Sequence, residues 1–200
     1  MIDIYTMPQG ISEWFHVKLG IVSASSFSKV LAKGSGATRK GYMLKLAAEI
    51  LTGEHRETYS NADMSRGIEQ EPLARAEYEF ITGNSVDQIG FAKKGRIGCS
   101  PDGLIGPEGG IEIKCVIPEV QIETVLSNKI PPAHKAQIQG CMMVLDCLWF
   151  DFISYSPLIK GRNYIFIKRE YRDNEYIANL ESELITFIRE LDDLVNKLKA

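Results

Sequence analysis

The chain has 200 residues, 44% of them hydrophobic and 24% charged, with a net charge of −3 at pH 7. That is enough apolar material for one sizeable core, and one domain over 1–200 is expected, since no linker, repeat or low-complexity tract interrupts it. The near-neutral balance carries no overall sign of nucleic-acid binding, which depends on local patches, and no apolar run approaches the length of a membrane span.

The opening MIDIYTMPQGISEW lacks the basic start and long apolar stretch of a signal peptide, so a cytosolic protein is expected. Residues 11–20, ISEWFHVKLG, read as a short helix closed by Gly20, and Ser23 is placed to cap a second, SASSFSKVL, running into KGSGATRKG. YMLKLAAEILTG is an amphipathic helix ending at Gly53. The helical pattern resumes from Asn61 to Gly83, where Pro72 predicts a kink or a fresh start.

From residue 85 the character changes to short β-branched runs separated by glycine. Strands are expected near 86–92, 95–99, 102–106 and 110–116, with PEGG as a hairpin turn. Helices follow at 118–127 and 133–146, then strands in LWFDFISYS and NYIFIKREY. A last helix from Asn174 to Ala200 carries apolar spacing at Leu180, Leu184, Phe187, Leu191, Leu194 and Leu198. Helices, then a mixed central β-sheet, then a helix across it: the class is α/β, with the sheet flanked by helices.

Cys99, Cys115, Cys141 and Cys147 form no CxxC pair and His16, His55 and His134 are isolated, so thiolate-held zinc, an iron–sulfur cluster and a histidine metal site are all disfavoured.

The stretch SPDGLIGPEGGIEIKC concentrates the chemistry. In the alternating strand Ile111, Ile113 and Cys115 share one face, while Glu112 and Lys114 share the other. The Pro101-Asp102-Gly103 turn can bring Asp102 to that polar face. Two carboxylates and one ammonium then converge, a set suited to a hard cation such as Mg²⁺ and to metal-assisted phosphodiester hydrolysis. The plain alternative is a surface hairpin whose Glu112 and Lys114 face water as a solvated pair. A third acid is sought in GIEQEPLARAEYEF. Glu71, at the Pro72 break, is the candidate, and Glu69, Glu77 and Glu79 are expected to face solvent.

Pro101-Asp102 followed by Glu112-x-Lys114 resembles the PD-(D/E)xK nuclease superfamily, whose core is restriction-endonuclease-like. The ordered series EWFHVKLGIVSAS, YMLKLAAEILTG, RGIEQEPLARAEYEFITG, GCSPDGLIGPEGGIEIKC, KAQIQG and DFISYSP resembles, over essentially the full length, the lambda-exonuclease or YqaJ-type phage recombination exonucleases. The resemblance implies that Asp102, Glu112 and the Ile113 carbonyl ligate metal, that Glu71 holds a second ion, and that Lys114 serves the attacking water. It implies that Gln137 lies beside the active site and that Lys18, Ser25 and Ser100 bind a terminal 5′-phosphate. It also implies two Mg²⁺ per site, with Mn²⁺ able to substitute, and 5′→3′ digestion of one strand of linear double-stranded DNA to leave 3′ overhangs. A homotrimeric ring, a phage single-strand annealing protein as partner, and the cytoplasm of a bacterial host complete what it implies.

By composition alone Ser25 is a helix N-terminal residue, Lys18 a solvated charge and Gln137 an exposed amide. The family's additional upstream aspartate has no counterpart, since Ala92-Lys93-Lys94 stands there. Lys33, Arg39, Lys40, Lys45, Lys93, Lys94 and Arg96 are the basic residues that could follow a DNA backbone. The rival readings are an endonuclease on the same core, an iron–sulfur repair nuclease, and a non-catalytic DNA-binding protein.

Overall fold

The computed structural model describes residues 1–32, 37–55 and 62–199, so Lys33 and the Gly-Ser-Gly stretch after it lie outside the described residues. In chain order the elements are β1 (Asp3–Tyr5), α1 (Ser12–Val17), β2 (Val22–Ser23), α2 (Phe27–Val30), α3 (Ala37–Thr52) and α4 (Ala62–Thr82). They continue with β3 (Phe91–Lys94), β4 (Ile97–Cys99), β5 (Gly103–Ile105), β6 (Gly109–Cys115), α5 (Pro118–Ser127) and α6 (Lys135–Leu145). Finally come β7 (Trp149–Tyr155), β8 (Ile165–Tyr171) and α7 (Asn174–Lys199).

Two mixed four-stranded sheets stand where one was expected, in the orders β1-β3-β4-β2 and β5-β6-β7-β8. The break falls at Ser100–Asp102, between β4 and β5, where Pro101 has no N–H to give to a ladder. β6 and β7 are parallel, with Glu112 opposite Phe152 and Lys114 opposite Ser154. Such a pair needs a long crossover, which α5 and α6 supply. Gly109 and Gly110 let β7 close in: a Cβ on them would lie 2.2 Å from the Trp149 ring and 2.4 Å from the Phe150 ring.

Alternation in β6 and β7 divides the interior. Ile111, Ile113, Ile153 and Tyr155 pack against Ala74 and Tyr78 of α4. Phe150 and Phe152 point the other way, into the larger core built with α2, α3, α6 and α7. Glu112 and Lys114 share that second side.

Several local expectations change. The strand expected over 86–92 begins only at Phe91, with Asp87 making an isolated bridge to Leu104. β3 pairs instead with β1, which at three residues is too short to show alternation. α4 runs through Pro72 as one element, its packing on the sheet through Ala74 and Tyr78 overriding the lost hydrogen bond. Ser23 makes no side-chain cap, and the segment after it is a 3₁₀ turn (Ala24–Ser26) leading into the single turn of α2. On α7 the buried stripe ends at Val195, leaving Leu198 exposed.

Asp151, 3% exposed in β7, pins α4 to this sheet. It accepts from the Tyr78 hydroxyl at 2.7 Å and from the Arg169 fork at 2.8 Å twice. Asp151→Ala should lower stability by about 2 kcal/mol, less than a fully buried pair would, because water reaches the Arg169 side that remains. Urea unfolding measures it, and a loss below about 0.5 kcal/mol would show that Asp151 is not the pin.

Candidate active site

Asp102 stands where the backbone of β5 is about to start. Its N–H donates to the Ile111 carbonyl at 3.3 Å, and its Oδ2 accepts from the Ile113 N–H at 2.6 Å. The carboxylate thus continues the β5–β6 ladder past the point where the backbone leaves it. A strand residue turns its N–H and C=O to the same edge, so the Ile113 carbonyl faces the Asp102 side as well.

Glu112 is 0% exposed, and its Oε2 has no hydrogen-bond partner. The Lys114 ammonium lies 2.5 Å from Oε1 as its direct charged partner, and the lysine side chain is 30% exposed. The solvated-pair reading therefore fails: the acid is sealed in and the lysine reaches the opening. Burial pushes Glu112 up to about 7, with Lys114 opposing and Asp102 and Glu71 adding to the shift. Burial likewise raises Asp102, against the pull of Lys114, the Ile113 N–H and Arg75. For Lys114 burial works against the charge, but Glu112 and Asp102 outweigh it and hold the ammonium above its ordinary range.

Glu71 projects from α4 toward the same acids. Burial raises its carboxyl, repulsion from Asp102 adds to that, and Arg75 pulls back. Its Oε1 stands 2.5 Å from Arg75 Nη2. Among the described residues no three carboxylate, thiolate or imidazole groups converge tightly enough to cage an ion as they stand.

A cleft of about 450 Å³ collects the residues that the sequence offered as metal-binding, catalytic or phosphate-binding, and none of the described basic residues offered for a DNA backbone. Glu71, Asp102, Glu112, Ile113 and Lys114 form one part of its wall and Gln137, from the first turn of α6, lines it too. Lys18, Ser25 and Ser100 line the same cleft. The reading of Ser25 as the start of a dipolar helix does not hold, since a 3₁₀ turn and one α-turn make no macrodipole of consequence; Ser25 is simply exposed, with Ser23 Oγ at 3.4 Å. Lys18 is not a solvated charge. Its ammonium lies 3.3 Å from the Trp14 ring centroid, and burial lowers it to about 8, helped by Lys45 and opposed by Glu49.

Two positioning residues escape the sequence reading. The Trp14 Nε1–H is shared between the Gly90 carbonyl at 2.9 Å and Ser100 Oγ at 3.1 Å. An indole only donates, so Ser100 accepts here and keeps its own proton for a group in the cleft. Gln9 Nε2 donates to the Pro101 carbonyl at 3.1 Å, bracing the turn that carries Asp102. The available signal is a tryptophan in a six-residue helix with no buried face.

The remaining acids and bases sort themselves. Glu69 is exposed as expected, whereas Glu77 accepts from the Tyr164 hydroxyl at 2.8 Å and Glu79 from the Val86 N–H at 2.9 Å. Arg39 and Arg96 are engaged by Glu190 at 2.6 Å and Asp192 at 2.7 Å on α7, and Lys45 stands 3.9 Å from Glu49. Lys40 and Lys94 are exposed and Lys93 is half-buried. All four cysteines are free thiols.

Lys18 gives a pH signature. Its folded value of about 8 lies below its ordinary 10.5, so between those values the unfolded chain holds a proton that the folded chain has released. Stability from this group therefore rises with pH across that window. Lys18→Met should be more stable than wild type near pH 7, with the gap closing toward pH 10; a constant gap in urea unfolding would contradict the buried charge.

Comparison with known proteins supplies independent context. Residues 13–147 match the model of the YqaJ-like viral recombinase domain. The curated proteins give no match. Among solved structures, an alkaline exonuclease (LHK-Exo) from Laribacter hongkongensis is 38% identical with a TM-score of 0.89, covering 94% of this chain and 96% of that one. The same protein in complex with dAMP aligns with the same figures, 38% and 0.89. A phage-related exonuclease from Haemophilus somnus shares the fold at 17% identity and a TM-score of 0.71, over 89% of this chain and 96% of that one. The α/β core is thus restriction-endonuclease-like, and the chain belongs to the YqaJ-like viral recombinase family.

Proposed function

We propose that the chain is a Mg²⁺-dependent exonuclease that degrades one strand of linear duplex DNA 5′→3′, leaving 3′ single-stranded overhangs for recombination by annealing. Its family, and the likeness to an alkaline exonuclease, support a nuclease of phage-type recombination. The observation that carries the finer reading is Glu112, a fully buried carboxylate with Lys114 at one oxygen and no donor at the other, beside Asp102 at the wall of an open cleft. Folding such a group is costly unless something arrives to use it.

The donors fit a hard cation. Asp102, Glu112, Glu71 and the Ile113 carbonyl offer only oxygen, which suits Mg²⁺, two per site in this reading with Mn²⁺ as substitute. Bound there, Mg²⁺ would polarise the scissile phosphate and provide a nucleophile near neutral pH. Asp102 is held in place by the Ile113 N–H, and Glu112 by the rigidity of its strand. Lys114 keeps its proton and offers a compact positive charge to the attacking water or the charge growing on phosphate. Gln137 presents an amide from the same wall. Lys18, Ser25 and Ser100 would take the terminal 5′-phosphate, which sets the exonuclease apart from an endonuclease. The dAMP complex of LHK-Exo supports a site that accepts a nucleoside monophosphate. By resemblance the protein would work as a homotrimeric ring with a phage single-strand annealing protein, in the host cytoplasm.

The test is digestion with Mg²⁺ of a linear duplex bearing 5′-phosphate, the same duplex with 5′-hydroxyl, and a covalently closed circle. The phosphate end should be consumed fastest, with label lost from the 5′ side, and the circle should survive. Asp102→Asn, Glu112→Gln and Lys114→Ala should each lower the rate by about a hundredfold or more. Cutting of the circle, or near-wild-type turnover by the acid variants, would overturn the reading.

Metal binding should also track Glu112. Its carboxyl holds a proton up to about pH 7, so a cation must displace that proton at lower pH. Affinity for Ca²⁺ should therefore climb as pH rises through about 7, by up to about tenfold per pH unit, and then level off. Calorimetry in buffers of different ionisation enthalpy measures the proton released. A pH-independent affinity across this range would be inconsistent with Glu112 as a ligand.

A further inference from the structure

Arg75 has no part in the reading above, yet it is 9% exposed, on α4 one turn beyond Glu71. A guanidinium withdrawn from water needs acceptors around its rigid fork. Three are present. Nη2 stands 2.5 Å from Glu71 Oε1. Nε donates to the Asp102 main-chain carbonyl at 3.1 Å. Gln88, once its amide is assigned from the surrounding donors with the oxygen toward the guanidinium, accepts from Nη1 at 2.8 Å and Nη2 at 3.1 Å. One side chain thus joins the helix carrying Glu71 to the turn carrying Asp102.

The charge pattern is what makes this arrangement more than a brace. Of the three acids at the cleft, Glu112 is matched by Lys114 and Asp102 by the Ile113 N–H, while Glu71 has Arg75 in direct contact and Lys114 at longer range. Glu71 is also the acid on a separate element, α4, so its side chain decides whether the oxygens close around a common point.

We propose that Arg75 is a positioning residue that serves as the resident counter-ion of this site: it holds the Glu71 carboxylate until a divalent cation binds, yields it then, and stays on the Asp102 carbonyl and Gln88 throughout. The inference rests on the metal-nuclease reading. A divalent ion attracts a carboxylate more strongly than a guanidinium does at similar distance. The two neutral partners keep Arg75 from being stranded when Glu71 turns away. Before a cation binds, the three acids are thereby kept near charge balance, and the cation has to compete with Arg75 for Glu71.

Competition gives a sign that a merely structural arginine would not. Ca²⁺ binding is measured by calorimetry at pH 9 on the full chain as wild type, Arg75→Gln and Arg75→Lys. Glutamine can still donate to the Asp102 carbonyl but carries no charge; lysine keeps the charge without the fork. Arg75→Gln should bind Ca²⁺ about fivefold more tightly than wild type, and Arg75→Lys should stay within about twofold. Saturating Ca²⁺ should also raise the Tm of Arg75→Gln by more than it raises that of wild type. Weaker or unchanged binding by a natively folded Arg75→Gln would overturn the inference. If that variant does not fold, ¹⁵N spectra of the arginine side chains in wild type decide. On Ca²⁺ saturation the Arg75 Nη resonances should shift while its Nε–H stays protected, and an unperturbed Arg75 overturns the inference while leaving the nuclease reading intact. Wild type that binds no Ca²⁺ and cuts no DNA removes both.

Discussion

Glu112 lies mid-strand, fully buried, with no hydrogen-bond donor at its Oε2. A carboxylate in that position would protonate or loosen the strand if nothing answered it. Lys114 answers it, two residues along the same face, and the parallel pairing with β7 keeps the two side chains on one line. Asp102 joins them through a single hydrogen bond to the Ile113 N–H, made possible because Pro101 has taken the backbone out of the ladder. The cleft is arranged around this cluster of two carboxylates and an ammonium, and burial is the first cause of the raised carboxyl values.

The rest of the molecule holds that cluster in position from behind. Tyr78 and Asp151 fasten α4 to the second sheet, which sets where Glu71 and Arg75 fall. From the opposite side the N-terminal segment reaches over: Gln9 holds the Pro101 carbonyl, and Trp14 holds Ser100 with its edge and Lys18 with its face. One indole therefore orders two of the three groups that line the far part of the cleft. Losing it would disorder both at once, although it need not touch a substrate.

What could be read from the residue string follows from how local each cause is. Two-residue alternation over 111–115 and the Pro-Asp-Gly turn are local, and they located Asp102, Glu112 and Lys114 correctly on one wall. The α6 and α7 patterns are local as well. β1 and β2 are not: with three and two residues they exist only through pairing with β3 and β4, far along the chain. Arg75 reads as an ordinary partner of Glu71 at four residues' spacing, and its bond to the Asp102 carbonyl depends on a fold that brings residues 27 apart together. Glu77 and Glu79, taken as solvated, are likewise committed by distant donors.

The parallel pairing of β6 with β7 has a consequence for the order of events during synthesis. β6 carries Glu112 and Lys114, but its neighbour begins at Trp149, after two intervening helices, and β7 in turn leans on β8. Non-local pairing of this kind forms late, because the connecting chain must be ordered before the strands meet. No nascent chain that stops short of β7 can hold Glu112 in its buried place. The wall of the cleft is therefore completed only once β7 has emerged from the ribosome.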